Sequence, residues 1–179
     1  MKTYVALLRG INVSGHKKVP MAELCEMLSK VGFVNVQTYI QSGNVIFQSI
    51  EEDTQKLTDI IQKEIKDHFG FDVPVLIKTN EELLSIFNDC PFSGAKKENS
   101  YFTLLYWTPD KVLIEDLDAL KYPNEEIIIS NRCIYFYSSA GYGNTKYNNN
   151  FFERKLKVTA TARNYKTMLK LLSLSSDLK

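Results

Sequence analysis

Val36-Gln37-Thr38-Tyr39-Ile40-Gln41-Ser42-Gly43-Asn44-Val45-Ile46-Phe47 is the stretch that decides the fold. Two runs rich in β-branched and aromatic residues, 36–40 and 45–47, flank Gln41-Ser42-Gly43-Asn44. Gly43 and Asn44 tolerate the positive φ of a tight connection, so the pattern predicts a β-hairpin. Before it, Met21, Leu24, Cys25, Leu28 and Val31 recur at helical spacing, with Pro20 suited to a first turn and Gly32 to a C-terminal cap. After it, residues 52–69 read as a second helix: the start is acidic, Leu57, Ile60, Ile61 and Ile65 form an apolar stripe, and Gly70 ends it. Apolar runs at 3–8 and 73–77 add an outer strand on each side. The order β-α-β-β-α-β is the ferredoxin-like pattern, in which two helices cover one face of a four-stranded antiparallel sheet.

The order then restarts. Asn80 caps a short helix carrying Leu83, Leu84 and Phe87, and residues 91–100, with Gly94, Lys96 and Lys97, have linker composition. A strand follows at 101–107, then a helix opened by Thr108-Pro109 and carrying Leu113, Ile114, Leu117 and Leu120. Residues 126–129 and 133–137 form a hairpin about Asn131, and a polar loop at 138–150 leads to helical segments at 151–156 and 163–172. The remaining strand candidate is the short run 158–160. The predicted fold class is α+β, with two ferredoxin-like (βαββαβ, α/β-plait) units and antiparallel sheets. The first unit and a connecting helix take residues 1–92, and the second, with C-terminal helices, takes 99–179. The halves match in element order and not residue by residue.

With 44% hydrophobic and 24% charged residues, the 179-residue chain has the composition of a globular protein. Twenty-two basic against 21 acidic residues leave a formal charge of +1, which excludes a global field drawing the protein to nucleic acid or anionic membrane; any such binding requires a local patch. Cys25, Cys90 and Cys133 are far apart and include no CxxC pair, so they read as reduced, structural thiols. The apolar run near the N-terminus is broken by Arg9 after a few residues and reads as a strand, not a signal peptide. No apolar stretch approaches the roughly 20 residues that span a bilayer. The expectation is a cytoplasmic protein with no membrane association.

Three segments carry a resemblance. Ala6-Leu7-Leu8-Arg9-Gly10-Ile11-Asn12-Val13 followed by Met21-Ala22, Thr38-Tyr39-Ile40-Gln41-Ser42-Gly43-Asn44-Val45, and the late pair Phe152-Glu153-Arg154-Lys155-Leu156 and Thr161-Ala162-Arg163-Asn164 resemble a widespread bacterial family classed as domain of unknown function 1697. The resemblance implies two ferredoxin-like units, and brings with it no activity, substrate or cofactor.

For function, the loop from Gly10 to Lys18 has the glycine spacing of a phosphate loop, but His16 and Lys17 stand where that motif needs Lys and then Ser or Thr. The loop keeps a simpler capacity to hold an anion. Arg9, Asn12 and Lys17 lie at or beyond a strand end, and Ser42 and Asn44 at the hairpin tip, where turn geometry alone also accounts for them. In the second half Lys146 lies in the asparagine-rich loop, and Arg163 and Asn164 open the last helix with Thr161 as a cap. Brought together in a cleft between the units, these eight residues would suit a phosphate or carboxylate: a small anionic ligand such as a nucleotide or a nucleic-acid end. Thr3 to Leu8 loosely resembles the first-strand half of an RNA-recognition signature, while the third-strand half, at Gly43 to Phe47, lacks the basic residue and paired aromatics. The competing reading is a non-enzymatic interaction module or homodimer using the aromatic strands of the second unit. No metal-ligand pairing, cofactor fingerprint or nucleophile elbow occurs. If the chain is an enzyme, His16, Lys17 and Arg163 are the groups to examine, with Arg163 as charge stabiliser and His16 as proton carrier.

Overall fold

The computed structural model describes residues 1–178. By packing, the chain forms two compact units, Met1–Leu84 with Lys170–Lys179, and Ser85–Leu169.

In the first unit β1 (Lys2–Leu8), α1 (Met21–Lys30), β2 (Val34–Tyr39), β3 (Asn44–Ser49), α2 (Thr54–Phe69) and β4 (Val75–Thr79) follow the predicted order. The sheet runs β2-β3-β1-β4 with every neighbouring pair antiparallel. Alternation sorts its side chains: Tyr4, Ala6 and Leu8 of β1, Val45 and Phe47 of β3, and Val75 and Ile77 of β4 meet Leu57, Ile61 and Ile65 of α2 in one core. Those α2 residues are spaced by four and lie on one stripe. Ile60, which the sequence pattern included in it, is 36% exposed. Asp53 caps α2 by accepting from the amides of Gln55 (2.8 Å) and Lys56 (3.3 Å), so the helix starts two residues later than its acidic run suggests.

The second unit repeats the arrangement with β5 (Tyr101–Leu105), α5 (Lys111–Asp118), β6 (Glu125–Ile129), β7 (Cys133–Ser138), α6 (Asn149–Leu156) and β8 (Ala160–Asn164), in sheet order β6-β7-β5-β8. Its core joins Leu105, Ile134 and Phe136 to Leu117, Phe152 and Leu156. Outside the two plaits lie the helices α3 (Asn80–Asn88), α4 (Gly94–Glu98) and α7 (Tyr165–Asp177). The division between units falls within α3 and within α7.

Four local expectations change. The last strand is Ala160–Asn164, not 158–160; Thr161, Arg163 and Asn164 therefore belong to β8, and the helix starts at Tyr165 with Asn164 as its cap, Oδ1 accepting from the Thr167 amide at 2.9 Å. β5 ends at Leu105, and α5 is capped by Asp110, which accepts from the Val112 amide at 2.8 Å, not by Thr108. The segment with linker composition contains α4, fastened by Lys96: its Nζ lies 5.3 Å from the Tyr137 ring centroid and pairs with Glu126 at 2.7 Å. Finally, Phe102 and Tyr135, on the sheet face away from α5 and α6, are buried; Phe87 stacks on Phe102 at 5.6 Å, and the Tyr135 hydroxyl donates to the Ile86 carbonyl at 2.9 Å.

Candidate functional site

Both polar regions singled out in the sequence have a definite structure, and they differ in what their side chains do. In the first unit the Leu8 amide donates to the Gly43 carbonyl at 2.8 Å, joining the end of β1 to the hairpin turn. Gly43 has φ +80°, and a Cβ there would lie 2.7 Å from Leu8 Cβ, so both conformation and space require glycine. Asn12 bridges the long loop to the same turn. Its Nδ2 donates to the carbonyls of Val19 (3.0 Å) and Gln41 (2.9 Å), and its Oδ1 accepts from the Val19 amide at 2.9 Å. Asn44 is fully buried, and its Nδ2 donates to the Tyr39 carbonyl and to Ser42 Oγ, both at 3.0 Å.

The phosphate-loop-like segment is thus closed on itself. The Asn12 amide donates to the Lys17 carbonyl (3.1 Å) and the His16 amide to the Val13 carbonyl (2.9 Å), so neither points outward as a bare anion donor. Lys17 Nζ donates to the Asp72 carbonyl at 2.6 Å and lies 6.0 Å from the Phe71 ring centroid. Arg9 is half-buried, and its amide donates to the Pro74 carbonyl at 2.9 Å. Asn12, Ser42 and Asn44 are therefore gathered at one turn, where they brace the backbone.

In the second unit Arg163 is buried on β8, where Nη1 donates to Thr161 Oγ1 (2.7 Å) and the Ala162 carbonyl (2.8 Å). Lys146 lies elsewhere in that unit, in a cavity of about 410 Å³ lined by Tyr122, Lys146, Asn148, Asn150, Phe151 and Arg154. The chain builds this cavity from a tethered loop and a capped helix. Glu125, at the start of β6, accepts from the amides of Lys146 (2.7 Å) and Tyr147 (2.9 Å), fixing the loop. Asn148 Oδ1 accepts from the Phe151 amide at 2.9 Å, and α6 then carries Phe151 and Arg154 one turn apart. Beneath them Tyr147 is buried, its hydroxyl donating to the Leu120 carbonyl at 2.7 Å. Burial, with Tyr122 and Glu125 nearby, pushes that hydroxyl up to about 12.

The cavity has an unusual charge balance. Lys146 and Arg154 are exposed, and neither side chain meets a carboxylate among the described residues; the Arg154 guanidinium lies 5.9 Å from the Phe151 ring centroid. Two other cavities of the described residues are furnished differently. One of about 340 Å³ in the first unit holds Glu23, Glu26 and Glu64 beside Lys30 and His68, with His68 Nε2 3.5 Å from Glu23. Another, about 530 Å³, contains Lys2, paired with Glu52 at 2.7 Å, and Glu81. Of these three cavities, that of the second unit has cations and amides and no acid in its lining. Sequence reasoning found Lys146 and missed Arg154, Tyr122 and Phe151. The available signal was the i, i+3 spacing of Phe151 and Arg154 after a capping asparagine, which puts both on one helix face.

The model of the family described as a protein of unknown function (DUF1697) matches residues 1–135. The chain belongs to this family. The match covers the whole plait of the first unit and runs into β7 of the second. Among solved structures, the conserved bacterial protein SP0830 from Streptococcus pneumoniae is similar over 97% of this chain and 98% of its own, with 27% identity and a TM-score of 0.76. No curated protein matches the chain. The two-plait architecture is thus shared with another protein along its full length, while the DUF1697 description carries no chemistry to transfer. Among the described residues no group of three His, Cys, Asp or Glu is arranged to hold a metal, and no helix is long and apolar enough to cross a membrane.

Proposed function

We propose that this protein binds a small anionic, phosphate-bearing ligand, and that Lys146 and Arg154 hold it in the cavity of the second unit. The observation that carries this reading is two cations facing one cavity with no acid in its lining. Cations neutralised by carboxylates have little to give an incoming anion; these two keep their full attraction for it. The side-chain amide of Asn148 in the same lining, whose Oδ1 caps α6, adds hydrogen-bond donors at Nδ2. In the first unit Asn12 and Asn44 bond the turn and Lys17 bonds the Asp72 carbonyl, and this reading draws on none of the first-unit candidates Arg9, Asn12, Lys17, Ser42 and Asn44. The rival partner-surface reading has less support, since Phe102, Tyr135 and Phe136 are buried.

Isothermal titration of the full chain with inorganic phosphate and pyrophosphate at low ionic strength tests the proposal. Binding is expected to weaken at least tenfold in Arg154→Ala and in Lys146→Ala, and to weaken as salt is raised. Heat that is absent, or unchanged in both variants, would remove the reading.

A further inference from the structure

Two rings line the same cavity, and a site for a bare phosphate has no use for them. Tyr122 and Phe151 are half-buried, which leaves part of each ring facing the space occupied by Lys146 and Arg154. The rings are held in place. Phe151 stands edge-on to Tyr122 (6.2 Å, 78°), Tyr147 (5.5 Å, 73°) and Phe152 (6.0 Å, 80°), and Tyr122 packs edge-on to the buried Tyr147 at 4.9 Å. A platform already ordered by its neighbours loses little conformational freedom when a flat ligand settles on it. The two cations in the same lining match the charge of one phosphate monoester, about −1.5 to −2 at neutral pH. A polyphosphate would exceed them.

We infer that the ligand is a nucleoside monophosphate group, with its phosphate between Lys146 and Arg154 and its base stacked on one of the two mutually perpendicular rings, Tyr122 and Phe151, and edge-on to the other. This rests on the anion reading above and narrows it to one chemical class. Aromatic faces accept any base, so the site discriminates by the presence of a base and not by its identity. The Arg154 guanidinium, 5.9 Å from the Phe151 ring, can contact the phosphate and lie parallel to the base, which the cavity's other cation, Lys146, cannot do. The same group occurs free and at the 5′ end of a nucleic-acid strand, and the cavity chemistry is common to both.

Titration of the full chain with ribose 5-phosphate, AMP, UMP and a 5′-phosphorylated pentanucleotide separates the alternatives. AMP and UMP are expected to bind at least tenfold tighter than ribose 5-phosphate and within about threefold of each other. Tyr122→Leu should abolish that advantage and leave ribose 5-phosphate unaffected, whereas Arg154→Ala should weaken all four. Phe151→Leu, checked by circular dichroism because Phe151 also packs on Tyr147, should reproduce the Tyr122→Leu pattern. A pentanucleotide that outcompetes AMP upholds the inference with a strand end as the source; AMP equal to or above it upholds the inference with a free nucleotide. Ribose 5-phosphate binding as tightly as AMP overturns the base platform and leaves the anion reading standing. No binding by any of the four overturns both.

Discussion

In the first unit the connection from β1 to α1 takes residues 9–20, while that from β3 to α2 takes only 50–53; in the second unit the corresponding connections are 106–110 and 139–148. β1 and β3 are antiparallel, as are β5 and β7, so these two connections lie at opposite ends of each sheet. The first unit is elaborated at the end that carries its hairpin turn, and its loop folds down onto that turn through Asn12. The second unit is elaborated at the other end, where its loop is tethered by Glu125 and borders a cavity. One topology thus supports a self-satisfied loop in one copy and a ligand-sized space in the other. What distinguishes them is the end of the sheet at which the long loop lies and the cavity that the second unit's loop borders.

Glycine substitutions probe this difference most strongly. Gly43→Ala should destabilise the protein by about 3 kcal/mol, because the new Cβ meets Leu8 in addition to a strained φ; Gly141→Ala, at φ +81° with nothing within 4 Å, should cost only about 1 kcal/mol. Equal midpoint shifts in urea unfolding would show that the first unit's turn is not close-packed in solution. Removing the amide that closes the first loop comes next. Asn12→Ala takes away three hydrogen bonds at a φ of +54° and should cost about 2 kcal/mol, against about 1 kcal/mol for Asn148→Ala, which loses one helix cap. If the cap proves the more costly, the loop is not what braces the turn.

Alkaline titration separates the units by their buried phenols. Burial raises Tyr4 in the first unit and, more strongly, Tyr135 and Tyr147 in the second, Tyr147 to about 12. A phenol of the unfolded chain ionises near pH 10, so between pH 10 and 12 the unfolded state holds fewer protons and stability must fall as pH rises. Melting temperature is expected to hold to about pH 10 and then fall. Tyr147→Phe should cost about 1 kcal/mol at neutral pH, from the lost bond to Leu120, and make the alkaline decline shallower. The smallest effect is expected at α4. Lys96→Ala removes a ring contact and a partly exposed ion pair with Glu126, and should lower stability by about 0.5 kcal/mol, an effect that high salt reduces.

Sequence patterning carried the plaits well because each buried stripe has its own period, as Leu57, Ile61 and Ile65 illustrate. It failed at β8. Thr161-Ala162-Arg163-Asn164 has little intrinsic strand preference, and the segment is extended because β5 offers a ladder from Tyr101↔Asn164 to Leu105↔Ala160. The site was legible only by residue type. Asn12 was correctly placed in a loop, but its role depends on Gln41, 29 residues away. Arg154 was visible inside a helical segment, yet its cavity also requires Tyr122, brought alongside by sheet pairing that no local pattern encodes.

The first unit is discontinuous along the chain: Asn80 Nδ2 donates to Ser175 Oγ at 2.6 Å, and both Thr3 Oγ1 and Gln48 Nε2 donate to the carbonyl of Leu178. A ribosome adding roughly 5 to 20 residues per second makes the intervening residues 85–169 in on the order of ten seconds. Throughout that interval the nascent first sheet lacks these closing partners, although it was begun first. Vectorial synthesis therefore reverses the order of completion, and the unit that emerges second has all its residues in hand before the one that emerges first.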